Sequence, residues 1–244
     1  MKYESLSDTG ILRKLNEDSY DHYENKDFLL LVVADGMGGH KAGEIASSLA
    51  VKEFIRYFKE EDVDLNQPFE EIKRAISSSN EKVYEKSLEN EEMSNMGTTI
   101  VGALIKDDTV FVVNVGDSRC YILNKYGFKQ ISRDHSLVND LLISGMITEE
   151  EAEEFSQKNV ITRSIGVAEE VEAEMIALDL SSGDYLLLCS DGLNNQVDEE
   201  DIVEVLEEDT DLKEKCYELI EMANDYGGID NTTVTIYRHG GDKK

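Results

Sequence analysis

Three separated stretches of this 244-residue chain place Asp beside Gly or Asn at the edge of an apolar run: Asp35-Gly36 after FLLLVVA, Asp191-Gly192 after YLLLCS, and Asp230-Asn231 before TTVTIY. Strand ends buried in a sheet can hold carboxylates rigidly while their oxygens face a cleft. Asp18 and Asp117 sit in similar company, beside Ser and Gly, so five aspartates lie at predicted loops or strand ends. Any one Asp-Gly pair reads as an ordinary turn; the set reads as an oxygen site for hard divalent cations. Magnesium and manganese favour near-octahedral oxygen shells, and two ions roughly 3.5–4 Å apart can activate a shared water at neutral pH.

Other chemistries fail on spacing. The stretch from Gly36 to Gly43 lies between a predicted strand and helix but lacks both the GxGxxG register and the Walker lysine pattern. A cysteine phosphatase needs Arg six positions after its nucleophile, and the positions following Cys120, Cys189 and Cys216 hold Tyr126, Asn195 and Met222. There is no Gly-x-Ser-x-Gly elbow, and His22, His40, His135 and His239 show no zinc spacing. The absence of a twelve-residue EF-hand loop removes a calcium buffer. With 53 acidic residues, 24 basic and a net charge of -29, the surface repels phosphate backbones, so nucleic acid is not an expected partner. The three unclustered cysteines are expected to be structural, reduced thiols. No apolar stretch reaches the ~20 residues of a membrane span and MKYESLSDTG lacks a signal-peptide core, so the expectation is a cytoplasmic protein without stable membrane insertion.

The elements that must position the aspartates follow from periodicity. Asp27 to Ala34 is a strand-length apolar run, and Gly43 to Lys59 turns to helical spacing through Ile45, Leu49, Phe54 and Phe58. A second helix is predicted over Phe69 to Leu88, after the only proline, Pro68. Thr99 to Ile105, Thr109 to Val115 and Arg119 to Leu123 read as three strands joined by short turns, most simply an antiparallel meander. Ser136 to Ser144 and Thr148 to Phe155 read as short helices, the second opened by a Thr148/Glu151 capping box. Strands over Val171 to Leu178, Asp184 to Ser190 and Thr233 to Tyr237, and helices over Asp198 to Glu207 and Leu212 to Asp225, complete the order. Helices covering antiparallel sheets point to a layered α+β or α/β/β/α arrangement in one domain spanning 1–244.

Seven segments in order now make the chain resemble a known family. They are Arg13-Lys14-Leu15-Asn16-Glu17-Asp18, Asp35-Gly36-Met37-Gly38-Gly39, Met96-Gly97-Thr98-Thr99, Val115-Gly116-Asp117-Ser118-Arg119, Asp134-His135-Ser136, Ser190-Asp191-Gly192-Leu193 and Gly228-Ile229-Asp230-Asn231-Thr232-Thr233. Together they are similar to the metal-dependent serine/threonine protein phosphatases of the protein phosphatase 2C type, in the single-domain bacterial form. The resemblance implies a four-layer α/β/β/α sandwich of two mainly antiparallel sheets flanked by helices. It implies two Mn2+ or Mg2+ ions and a third, weaker one. Asp35 would bridge the ions, with the Gly36 carbonyl, Asp191 and Asp230 as further ligands of the first. Asp18 and Glu17 would serve the second ion, partly through water, and Asp117 the third. Arg13 would bind phosphate with its planar fork, and Asn231 would orient Asp230.

The reaction the resemblance implies is one-step attack of a metal-bridging hydroxide on phosphoserine or phosphothreonine, without a phosphoenzyme. Met37 stands where some members carry His, so a metal-bound water is the expected proton donor; His40 and His135 are expected to stabilise loops. The segment from His135 to Gly166 corresponds to the family's mobile flap, in which Phe155-Ser156 replaces a common His-Pro pair and Asn159, Thr162 and Arg163 match structural positions. The expected partners are phosphoproteins, including a serine/threonine kinase, acted on by a monomer. A catalytically silent regulatory domain of the same fold is the alternative, and retention of Arg13 and all five aspartates argues against it.

Overall fold

A computed structural model of the chain describes residues 2–38, 42–153, 155, 157 and 160–240. In chain order the elements are β1 (Tyr3–Asp8), β2 (Asp18–Glu24), β3 (Leu29–Met37), α1 (Ala42–Glu60), α2 (Pro68–Ser87), β4 (Gly97–Thr98), β5 (Ile100–Lys106), β6 (Thr109–Val115), β7 (Arg119–Asn124) and β8 (Gly127–Gln130). There follow α3 (Leu137–Ile143), α4 (Glu149–Glu153), β9 (Glu174–Asp179), β10 (Tyr185–Cys189), α5 (Asp191–Asn194), α6 (Glu199–Glu207), α7 (Leu212–Asp225) and β11 (Thr232–Arg238). One sheet has the order β1-β11-β10-β7-β8 and the other β2-β3-β5-β6-β9, with β4 attached to β3. The strand pairings within both are antiparallel.

The unbroken apolar run of β3 follows from its being covered on both faces. Leu30, Val32 and Ala34 pack with Ala46, Ala50, Phe54 and Phe58 of α1 and with Ile72 and Ile76 of α2. Leu29, Leu31 and Val33 face the other way, into a layer shared with Leu186 and Leu188 of β10 and Cys120 and Ile122 of β7. The alternate residues of β10, Leu187 and Cys189, pack with Ile202, Val205, Leu219 and Ile220 of α6 and α7. Four layers result, and each buried Leu or Ile contributes roughly 1.5–3 kcal/mol through removal from water. The end of α6 meets an unusual partner. Lys215 is fully buried, and its Nζ donates to the carbonyls of Val205 at 2.7 Å and Glu208 at 2.6 Å, satisfying groups the helix itself leaves open.

Most predicted elements stand within a few residues, and the Thr148/Glu151 capping box is present, with Thr148 N donating to Glu151 Oε2 at 2.9 Å and Glu151 N to Thr148 Oγ1 at 3.3 Å. Three differences matter. The meander is broken: β5 and β6 form a hairpin, but β7 pairs with β8 and β10 in the opposite sheet. Gly116, at φ +110°, lets the chain turn across the sandwich there, a conformation open to glycine. Asp35-Gly36 does not end its strand either, because β3 runs on to Met37 and pairs with Gly97 and Thr98. Finally, β1, β2 and β8 carry no long apolar run, and each is held mainly by its neighbour: β1 and β8 are edges of one sheet and β2 of the other. Among the described residues, no helix is long and apolar enough to cross a membrane.

Candidate active site

Strand register brings the first two carboxylates together. Asp18 opens β2 directly opposite Asp35 on β3. Asp191 begins α5 at the end of β10, and Asp230 precedes β11; because these strands are antiparallel neighbours, both residues come to the same end of their sheet. The two sheets are then tied across the sandwich through Asp18, whose Oδ2 accepts from Ser190 Oγ and Thr233 Oγ1, both at 2.7 Å. Asp35 is fixed by its main chain: its N donates to Thr99 Oγ1 at 2.8 Å, its O accepts from Thr98 Oγ1 and Thr99 N, each at 2.8 Å, and Thr99 Oγ1 meets Ser118 Oγ at 2.7 Å. Sequence reasoning quoted these hydroxyl residues within its segments but assigned them no role. A Ser directly beside an Asp marks Ser118 and Ser190, whereas no local signal singles out Thr98, Thr99 or Thr233.

Gathering acidic groups in a dry site is expensive. Burial pushes Asp18 up to about 7, with Asp191 and Asp230 adding to the rise and the two hydroxyl donors opposing it. Asp35 is held well above the carboxylate range by burial and then by Asp18, Asp191, Asp117 and Asp230. Asp191 rises through burial and the neighbouring Asp230, partly offset by the charges of Arg13 and Arg119. Asp117, on the turn between the sheets, is pushed up to about 7 by burial, then by Asp191 and Asp134. Glu17 also rises, mainly by burial.

These groups fit divalent cations by chemistry. Asp18 Oδ1, Asp191 Oδ1 and Glu17 Oε1 are buried without a hydrogen-bond partner among the described residues, as acceptor oxygens awaiting a positive charge would be. The arrangement is nevertheless not a finished cage: among the described residues no group of three or more Asp, Glu, His or Cys side chains is placed to hold an ion as it stands. Protein donors occupy part of the set. Arg13 Nη2 lies 2.7 Å from Asp230 Oδ2, and Asn195 Nδ2 donates to Asp191 Oδ2 at 3.0 Å. Gly36 needs its missing side chain, since a Cβ there would come 2.1 Å from Gly43 O and 2.6 Å from Glu17 O.

Asn231 works differently from the expectation. Its backbone N donates to Asp230 Oδ1 at 2.8 Å, whereas its carboxamide turns to the loop carrying Arg13, donating to Thr9 O at 2.8 Å and Leu15 O at 2.9 Å and accepting from Glu17 N at 2.8 Å. One buried side chain therefore positions Arg13, Glu17 and, through the chain, Asp18. Asn231→Ala would strand two carbonyls and an amide at about 1–3 kcal/mol each. The expected outcome is a loss in catalytic efficiency of about 10- to 100-fold, together with faster amide exchange confined to residues 9–17, read by hydrogen exchange. Unchanged exchange there would contradict the role.

His135 is buried and its Nδ1 accepts from Gly116 N at 3.1 Å while its own N donates to Gly116 O at 2.8 Å, so it clamps the corner bearing Asp117. The segment after it closes on itself where Leu137 N donates to Val160 O and Thr162 N to His135 O, both at 2.8 Å. His40, Ser156 and Asn159 lie outside the described residues.

Comparison with known proteins adds an independent line. Residues 13–228 match the family model described as Protein phosphatase 2C. The serine/threonine phosphatase stp of Listeria monocytogenes is 39% identical over 239 residues, covering 97% of this chain and 95% of its own length. A solved S. agalactiae serine/threonine phosphatase is 40% identical with a TM-score of 0.91, covering 97% of this chain and 99% of its own. The catalytic domain of the serine threonine protein phosphatase PstP, solved in complex with 2 manganese ions, is 35% identical with a TM-score of 0.84, covering 97% of this chain and 96% of its own.

Proposed function

The chain belongs to the protein phosphatase 2C family, and from that premise we propose that it hydrolyses phosphoserine and phosphothreonine in proteins, using manganese or magnesium and opposing a serine/threonine kinase. The observation that carries this reading is the convergence of Asp18, Asp35, Asp191 and Asp230, with burial and neighbouring carboxylates raising the pKa of the first three and Arg13 paired with Asp230 at its edge. Asp35, the Gly36 carbonyl, Asp191 and Asp230 would hold one ion, Asp18 with Glu17 a second, and Asp117 a third. Bound there, such ions would supply an acidified water and neutralise charge on the phosphoryl group.

The chain's own residues do the rest. Arg13 offers a planar fork to two phosphoryl oxygens. Ser190 and Thr233 keep Asp18 from rotating, and Thr98 and Thr99 keep the Asp35 backbone in place. With Met37 where a histidine would stand in some relatives, the leaving oxygen takes its proton from water in the site. The segment around 135–166 borders Asp117 and acts as a flap that admits substrate. The three cysteines are free and buried, which suits a monomer in a reducing cytoplasm.

A phosphothreonine peptide with Mn2+ tests this. Turnover should vanish in chelator and return with added ion; no turnover at any Mn2+ concentration would favour the silent domain. Arg13→Ala should raise KM about tenfold or more with a smaller fall in kcat. If both constants stayed at the wild-type value, Arg13 would not be the phosphate ligand.

A further inference from the structure

The surface beside Arg13 is apolar, exposed and rigid, and hydrolysis itself makes no use of it. Ile11 and Leu12 are 65% and 67% exposed, and Ile229 is 50% exposed. Apolar side chains scattered singly over a surface need no explanation, but these belong to two strips of chain that meet at Arg13. Leu12 precedes Arg13 in the chain, and Arg13 Nε donates to Ile229 O at 3.4 Å. The backbone beneath is well held. Ile11 N and Leu12 N both donate to Gly228 O, at 2.8 and 3.0 Å, and Asn231 secures Thr9 and Leu15 on either side. Gly228 has φ +53°, and a Cβ there would come 2.7 Å from Ile11 Cγ1, so glycine lets the two strips lie together. A ledge already ordered in the free protein loses little entropy when something binds it.

We propose that this ledge is the subsite for the residue two positions from the phosphoserine or phosphothreonine, and that it selects an aliphatic or aromatic side chain there. The inference rests on the phosphatase reading, because a phosphoryl group on Arg13 fixes where its neighbours fall. Successive side chains of an extended peptide point to opposite faces, so with the phosphoryl group on Arg13 the side chains two positions away, about 7 Å along the chain, share its face and meet the strip of Ile11, Leu12 and Ile229. Charge narrows the choice. An acidic flank meets the field of Asp230, Glu17 and a chain of net charge -29. A basic flank is drawn by that same field but repelled by Arg13, and the side chains of Ile11, Leu12 and Ile229 offer its charged end no hydrogen bond. An apolar flank buries area against the ledge at no electrostatic cost.

The test uses the full chain with Mn2+, para-nitrophenyl phosphate, and phosphothreonine peptides identical except for Leu, Ser or Glu two positions to either side of the phosphoresidue. Wild-type kcat/KM should be about 5- to 10-fold higher for the Leu peptide than for the Ser peptide, with the Glu peptide lowest. In the double variant Leu12→Ser/Ile229→Ser the Leu-to-Ser ratio should fall to near one. Leu12→Lys should move the Glu peptide up the order. A wild-type ratio within about twofold, a wild-type ratio retained by the double variant, or an unchanged order in Leu12→Lys overturns the proposal. The aryl phosphate separates the two failures: its turnover beside a flat peptide panel removes the ledge alone, whereas no turnover of either substrate removes the phosphatase reading and the ledge with it.

Discussion

Asp191→Asn is expected to lower turnover of a phosphothreonine peptide by about a thousandfold while raising the melting temperature of the chelated protein. Both effects have one cause. Asparagine keeps the volume of Asp191 at the start of α5, and its carbonyl oxygen can still accept the hydrogen bond from Asn195 Nδ2. What it removes is a negative charge that burial and Asp230 make unfavourable in the metal-free fold. The same charge is what a divalent cation would need, and groups that merely orient a metal ligand are already worth about 10–100-fold, so losing a ligand costs more. Stability and activity should therefore move in opposite directions, as at sites where strain serves function. Steady-state kinetics and a thermal melt in chelator check this; activity within tenfold of wild type would remove Asp191 from the proposed ligand set.

In chelator, the protein should melt about 5–10 °C lower at pH 8 than at pH 5.5, and Mn2+ should restore more stability at the higher pH. Asp18 and Asp117 both sit near 7 in the folded chain, against the ordinary aspartate value of 3.8. A carboxyl raised in this way favours folding below its unfolded pKa, where it is protonated in both states. That advantage fades as pH rises from about 4 through about 7, since the unfolded chain releases the proton first. For Asp18 the full shift is worth on the order of 4 kcal/mol, and for a chain of this size 1 kcal/mol moves the melting temperature by about 2–4 °C. A cation would replace the protons, so its binding should release them and tighten with pH. The variant Asp18→Asn should show a flatter profile in chelator. A chelated wild type as stable at pH 8 as at pH 5.5 would contradict the strained carboxylate cluster.

The residues proposed for the site could be picked out from the chain, because ligand chemistry belongs to residue types. Asp beside Gly or Asn at the edge of apolar runs marked Asp35, Asp191 and Asp230, and the order of seven short segments supplied Arg13, Glu17, Asp18, Asp117 and Asn231. Helices were legible for the same local reason: α7 spans the predicted Leu212–Asp225, since a capping box at Asp211 and Glu214 and a 3.6-residue apolar period are both written within one stretch. The polar strands were not. In β2, DSYDHYE offers little apolar signal, and it is a strand because β3 supplies its partner.

Residue identities thus determined which groups could bind a cation or a phosphate, and tertiary structure decided which of them meet. Local sequence carries no record of which strand pairs with which. Only the β2–β3 register sets Asp18 opposite Asp35, only the passage of the chain from β6 to β7 across the sandwich brings Asp117 near Asp191, and only the fold turns the Asn231 carboxamide from Asp230 toward the loop of Arg13. Pairing and burial are long-range, so the repulsion that raises these pKa values exists only when distant segments close around the same small volume.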